Sequence, residues 1–487
     1  MAIGAWRAAA EGRGAWIALI LAGVLTLPLA TSRLYASDEI QYFAYLRSLW
    51  FDGDLAFDNE YRHFYDRGIA VAWTFRESYL ERTTATGLRY NYGTIGAAIL
   101  WSPFYAVADA AARVGRALGV RVAVDGFSRP YLRAVAYGSA IYGFLAVCLA
   151  VVAARRLLGE GHLAGAAIWV GTPLIHYMYI APGFAHACSA FAVALFVSVW
   201  LAVRETWSTR GLIVLGACSA LMAMVREPAA FFVIGPAIDF VWSLVDAARQ
   251  DRWERVRTLL LRVAAGTAVA FACYLPQVLA YVTLYGGLTS PYTLDDRMLW
   301  HAPHFGDVLA SPSHGFFVWT PLAVVALAGL AWFAATGAGR VEPDRARRIG
   351  ICLLAMVASQ AYIAGSITRW TLAGSFGQRR FVGTSIILTI GLAAAIRWGW
   401  AATAHRRYLP GAAVTLLAGC VWWNLGLMAQ YGAGLMDRQR LEPGRNAYTT
   451  FVELPRLLPG LGYRYLFDRS SFYQDPARYR EPPASMP

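Results

Sequence analysis

Lysine is absent: all 43 basic side chains are arginine. Charge of either sign is scarce, at 15% of residues, against roughly 25% in a soluble domain. With 58% hydrophobic residues and a mean hydropathy of +0.43, the chain reads as a polytopic membrane protein. Nucleotide-binding fingerprints are missing too. There is no P-loop and no G-x-G-x-x-G, and no cytoplasmic loop is long enough for a nucleotide-binding domain. An ATP-driven or nucleotide-sugar enzyme is therefore disfavoured. Cysteine is limited to Cys148, Cys188, Cys218, Cys273, Cys352 and Cys420, all in apolar runs. That placement argues against a disulfide framework and against a zinc site, and leaves the thiols as small buried filler.

The net charge of +13 would suit nucleic acid, but no nucleic-acid partner is expected. The arginines fall mostly in short loops between apolar runs, as positive-inside topology requires. Arginine in place of all lysine also suggests a GC-rich bacterial genome. Aromatic residues reach 14%, with 18 Trp and 26 Tyr, which suits belts at the two membrane surfaces.

A membrane-crossing helix needs about 20 apolar residues. Such runs cover 15–31, 131–153, 162–181, 185–203, 211–226, 229–245, 258–284, 316–336, 348–366, 381–397 and 409–430. Arg7 and Arg13 precede the first run. No convincing cleavage site precedes Asp38, so the run is read as a retained signal-anchor. The loops with Arg155–Arg156, Arg204–Arg210, Arg249–Arg257, Arg340–Arg348 and Arg397–Arg407 alternate regularly. Placing them and the N-terminus inside gives an all-α fold of about eleven transmembrane helices. The further run 94–112, broken by Pro103 and interrupted by Asp109, must then start and end outside, as a re-entrant or juxtamembrane helix. Residues 1–430 form the membrane domain, with 32–130 as a long first extracytoplasmic loop and 431–487 as a short extracytoplasmic tail. No internal repeat is evident.

Asp38 and Glu39 stand side by side just beyond the first run. Carboxylates at a membrane edge are costly and call for a reason. They open the stretch Ser37-Asp38-Glu39-Ile40-Gln41-Tyr42-Phe43-Ala44-Tyr45. If it is helical the two acids diverge, so only one need face a site. Ser37-Asp38-Glu39 also suits a helix start, a reading compatible with a catalytic carboxylate. Arg226-Glu227-Pro228 lies between two short runs, where Arg226 could hold a phosphate, pair with Glu227 or snorkel. Gly374-Ser375-Phe376-Gly377-Gln378-Arg379-Arg380-Phe381 places two arginines at the outer mouth of a run, against the positive-inside trend. Arginine forks suit phosphate, and the glycines let backbone approach a ligand.

An Asp-Glu pair after the first span, followed by aromatics and a juxtamembrane loop, resembles the type C membrane glycosyltransferases. Protein O-mannosyltransferases and the aminoarabinose transferases of lipid A share this pattern. The segment Thr172-Pro173-Leu174 to Tyr177, with Pro182, His186 and Ala187, is similar to the family's second outer loop. Ser311-Pro312-Ser313-His314-Gly315-Phe316-Phe317, preceded by Tyr285-Gly286-Gly287 and Ser290-Pro291-Tyr292, resembles an element at the start of a late span. The Gly374–Phe381 segment resembles the family's Gly-x-Arg-Arg/Tyr-Phe segment.

The resemblance implies an all-helical fold, a sugar donor carried on a polyprenyl phosphate, and a lipid or glycan acceptor. Asp38 would be the base that deprotonates the acceptor hydroxyl, with Glu39 in support. Arg379, Arg380 and Arg226 would hold the donor phosphate. Tyr42, Tyr45, His186, His314 and Gln378 would contact substrate. Where many members carry a second acidic residue this chain has His186, which weakens a two-carboxylate mechanism. No cofactor is implied and no metal is strictly needed. The expected setting is the bacterial inner membrane among its lipids, with the site on the extracytoplasmic side. Two other readings remain: a transporter or lipid flippase, and a non-catalytic assembly protein. Against transport, the notable charges cluster at one face and acids within the spans are few, Asp239 being the main one.

Overall fold

The structure, a computed structural model, describes residues 2–70, 74–288, 297–372, 374–403 and 409–472. Ser290-Pro291-Tyr292, part of the arginine-bearing connection 397–407 and the tail from residue 473 lie outside the described residues. Within them the regular structure is helical, with no strand beyond the isolated bridges Thr83–Arg89 and Met298–Ile367. A chain in hydrocarbon must pair its own peptide groups, and apolar runs of this length do so as helices.

The first half contains α1 (Ala2–Thr26), α2 (Ser37–Arg47), α3 (Asp58–Asp66), α4 (Gly96–Ala117), α5 (Arg129–Leu158), α6 (His162–Gly171), α7 (Leu174–Tyr179), α8 (His186–Val203) and α9 (Thr209–Val225). The second contains α10 (Ile234–Arg249), α11 (Trp253–Tyr285), α12 (Phe305–Ala310), α13 (Phe316–Trp319), α14 (Leu322–Thr336), α15 (Pro343–Ser366), α16 (Ser385–Thr403), α17 (Leu409–Ala433), α18 (Pro443–Tyr448) and α19 (Leu454–Phe467). Among the described residues, 8 segments are long and apolar enough to cross a membrane. They correspond to α1, α5, α8, α10, α11, α15, α16 and α17, and the shorter apolar helices are α6, α9 and α14. Each expected apolar run contains one of these helices, and the chain is an all-α polytopic membrane protein.

Close approach without side chains holds the tightest helix pairs together. A Cβ on Gly216 of α9 would lie 2.1 Å from the Gly266 carbonyl oxygen of α11. Gly329 of α14 meets Gly391 of α16 in the same way, at 2.2 Å. Small residues at helix crossings let backbones touch, which matters where lipid removes the hydrophobic drive between helices.

The run 94–112 falls in α4, and both of its ends meet one end of the bundle. Gly96 abuts the Met224–Val225 backbone at the close of α9. Asp109 accepts hydrogen bonds from Tyr131 (2.7 Å) in the first turn of α5 and from Arg113 (2.9 Å). The acid that interrupts the apolar run is thus a paired anchor. Val107, Val114 and Leu118 line an exposed face of α4, as in a helix lying along a membrane surface. Between α1 and α5 the long loop packs a layer of buried aromatic rings that includes Phe43, Tyr45, Phe57, Tyr61, Phe75 and Tyr105. This layer fixes α2 against the bundle.

Candidate functional site

The start of α2 orients the two carboxylates. Ala36, the residue before the helix, is extended, and its N–H and that of Tyr35 would both go unpaired at a helix start. Glu39 Oε2 accepts from both, each at 3.1 Å, the return half of a capping box. Its other oxygen packs against Gly183, where a Cβ would come within 2.9 Å. Burial pushes the Glu39 carboxyl up to about 7, the backbone bonds pull it down, and Asp38 adds a smaller upward push. Glu39 does not line the cavity described next, because its carboxylate closes the helix start.

With Glu39 turned inward, the residue before it is rotated by about 100° around the helix. Asp38 therefore faces a cavity of about 240 Å³, together with Gln41 and Tyr42 at the i+3 and i+4 positions. One turn further along, Tyr45 is fully buried, its ring 5.0 Å from Phe57, and it too stays off the lining. Tyr92, Gly93 and Thr94 form a second wall. They are held by the Tyr92 N–H to Gln41 Oε1 (2.6 Å) and by the Thr94 hydroxyl to the Val225 carbonyl (2.9 Å).

Three arginines complete the cavity, and they differ in state. Arg379 forms an ion pair with Asp38 at 2.7 Å and lies 4.8 Å over the Phe184 ring. Arg380 donates to the carbonyls of Trp370 (2.8 Å), Arg369 (3.0 Å) and Ala364 (3.4 Å), so it also orders the connection after α15. Arg226 sits between α9 and the 3-10 turn Glu227–Val233, and its side chain has no hydrogen-bond or ion-pair partner among the described residues. His186, the first residue of α8, lines the cavity with its ring 4.6 Å from Tyr177.

His314 and Gln378 lie outside the lining and brace it from behind. Gln378 Nε2 donates to the His314 carbonyl (2.9 Å), and His314 Nε2 donates to the Ser375 carbonyl (2.9 Å). The His314 ring stacks on Trp319, and burial, helped by Arg379 and Arg380, holds its imidazole down at about 4. These bonds tie the loop before α13 to the loop that carries the arginine pair.

Several lining residues were not among the sequence candidates: Gln41, Tyr92–Thr94, Trp300 and above all Glu227. Glu227 accepts a short hydrogen bond from the Tyr281 hydroxyl of α11. It lines the polar cavity and also an apolar groove of about 670 Å³ between α9, α10 and α11. The two spaces therefore lie around one shared carboxylate. The groove walls include Leu215, Ala223, Val233, Ala270 and Phe271. Such a junction can take a ligand with a charged head and a long apolar tail.

No protein-family model matches this chain, and no characterised protein matches it in sequence. Among solved structures it is similar to ArnT from Cupriavidus metallidurans bound to undecaprenyl phosphate. The likeness has 16% sequence identity and a TM-score of 0.48, over 94% of this chain and 79% of that one.

Proposed function

We propose that this chain is a type C membrane glycosyltransferase that moves a sugar from a polyprenyl-phosphate donor to a hydroxyl of a lipid or surface glycan. One observation carries this reading: Asp38 and three arginines line a single polar cavity that shares the lining residue Glu227 with an apolar groove between helices. In this scheme the polyprenyl tail lies in the groove and the phosphate in the cavity. The cavity faces the extracytoplasmic side of a bacterial inner membrane.

Arg226, which has no hydrogen-bond or ion-pair partner among the described residues, takes the phosphate first. Arg379 then exchanges the Asp38 carboxylate for an oxygen of the phosphodiester; both are monoanions, but the phosphate is also held by Arg226 and Arg380 and gains charge as the sugar leaves. The freed Asp38 accepts the proton of the acceptor hydroxyl. The acceptor oxygen bonds to the anomeric carbon as the bond from that carbon to phosphate oxygen breaks. The phosphate leaves with the electron pair, its charge held by Arg379, Arg380 and Arg226. A single displacement inverts the anomeric centre, and the scheme uses no metal. Glu39 supports the reaction by fixing the start of α2, and Glu227 lies where head and tail meet.

The test is transfer of radiolabelled sugar from a panel of polyprenyl-phosphate donors by the purified protein, wild type against Asp38→Asn. Transfer that disappears in the variant supports the reading. Movement of labelled lipid across vesicles with no sugar transfer would instead identify a flippase.

A further inference from the structure

A second polar cavity, of about 470 Å³, lies at the end of α1 and shares no lining residue with the first. Among the described residues its charged lining is all of one sign: Arg33, Arg129, Arg133 and Arg469, with no aspartate or glutamate. Arg129 and Arg133 are four residues apart on α5, so they share a helix face and repel each other. Neither has a hydrogen-bond or ion-pair partner among the described residues. Both sit at the N-terminal end of a 30-residue helix, where the backbone adds its own positive potential. Arg129 and Arg133, like charges with no such partner at one cavity, call for a counter-anion.

The fourth arginine closes the site. Arg469, just beyond α19, donates to the carbonyls of Pro28 (3.3 Å) and Leu29 (3.3 Å), the last turn before the chain leaves α1. The Tyr465 hydroxyl also donates to the Leu29 carbonyl (2.8 Å). The C-terminal segment thus folds back onto the outlet of α1 and makes a wall. Thr31, Ser32 and Tyr137 add hydroxyl-bearing side chains. Below the cavity the surface turns apolar: Val24 and Leu25 of α1 are 57% and 75% exposed.

We propose that this cavity binds the phosphate headgroup of an anionic membrane lipid, whose acyl chains lie along α1. Guanidinium forks match phosphate oxygens, and basic pockets between membrane helices suit anionic headgroups. The apolar strip next to the cavity favours a lipid over free phosphate. A bound headgroup would pin Ser32 and Arg33, and so the linker from α1 to the start of α2. The site stands whether or not the chain transfers sugar.

The experiment uses the full chain in nanodiscs of phosphatidylcholine doped with phosphatidylglycerol or cardiolipin, with retained lipid read by native mass spectrometry. Wild type should keep the anionic lipid in preference to phosphatidylcholine. R129A/R133A should bind it about tenfold more weakly or worse, and so should R129Q/R133Q, which keeps side-chain bulk. Because neither arginine has a partner among the described residues, both double variants should stay monodisperse. R116A, on a helix away from the cavity, should behave as wild type. Equal lipid retention by wild type and both double variants would overturn the proposal. So would inorganic phosphate alone displacing the bound lipid from wild type at millimolar concentration.

Discussion

Asp38 and Glu39 are neighbours, yet their removal should have opposite signatures. The Asp38 side chain is 42% exposed and its ion pair with Arg379 is itself open to the cavity. Such a pair contributes about 0–1 kcal/mol to folding. Asp38→Asn should therefore leave the thermal midpoint in detergent almost unchanged. Removing a general base lowers turnover by roughly 10²–10⁴-fold, equivalent to about 3–5 kcal/mol of barrier. Glu39 is fully buried and satisfies two backbone N–H groups. Glu39→Ala strands both donors and opens a void, at a cost of about 2–5 kcal/mol. It should unfold at clearly lower temperature and lose activity through misplacement of α2. Sugar transfer and thermal unfolding measured on the same preparations separate the two effects. If Asp38→Asn keeps more than a tenth of wild-type transfer, the base is elsewhere. If it lowers the midpoint as much as Glu39→Ala, Asp38 is structural.

Other outcomes follow from the same geometry. Glu39 holds its proton to about 7 in the fold against an ordinary 4.5, so the unfolded chain releases it first as pH rises. Stability should fall between about pH 4.5 and about pH 7, by at most ~3 kcal/mol, and Glu39→Gln should flatten that slope in denaturation midpoints taken across pH. Arg226→Ala should raise the donor KM roughly tenfold while shifting stability by less than about 0.5 kcal/mol, since its side chain has no hydrogen-bond or ion-pair partner among the described residues to lose. A large fall in midpoint would show instead that Arg226 is part of the scaffold. Gly216→Ala puts a Cβ 2.1 Å from the Gly266 carbonyl and should cost about 1–3 kcal/mol, seen as a lower melting temperature. An unchanged midpoint would mean that α9 and α11 can part freely.

The apolar helices were legible because hydrocarbon leaves a long apolar run little choice of structure. The arginines and Asp38 were legible because charge at the end of such a run is unusual. Other parts of the site depend on contacts between segments far apart in sequence. Tyr92–Thr94 carry no local pattern, and their place is set by bonds to Gln41 and Val225 and by the neighbouring Ile95 N–H to Gln277 (2.9 Å). Glu227 gave a signal, a carboxylate next to Arg226, but a pair between the two neighbours was only one of three readings open for Arg226. Arg226 has extended backbone, which sends successive side chains to opposite sides, and Glu227 reaches Tyr281 instead. His314 and Gln378 sit in two of the segments on which the resemblance was drawn, yet their hydrogen bonds go to backbone behind the cavity.

The ion pair between Asp38 and Arg379 has a kinetic consequence under the proposed reaction. While the donor is absent the base is occupied, so an acceptor that arrives first finds no free carboxylate. Donor arrival, by drawing Arg379 away, is what arms Asp38. Turnover should then follow a compulsory order, donor before acceptor. Initial-rate patterns with a dead-end acceptor analogue test this: inhibition should be uncompetitive against donor, and a competitive pattern would sink the idea. The same order leaves Asp38 free beside a bound donor until the acceptor arrives, so slow donor hydrolysis in the absence of acceptor is the expected side reaction.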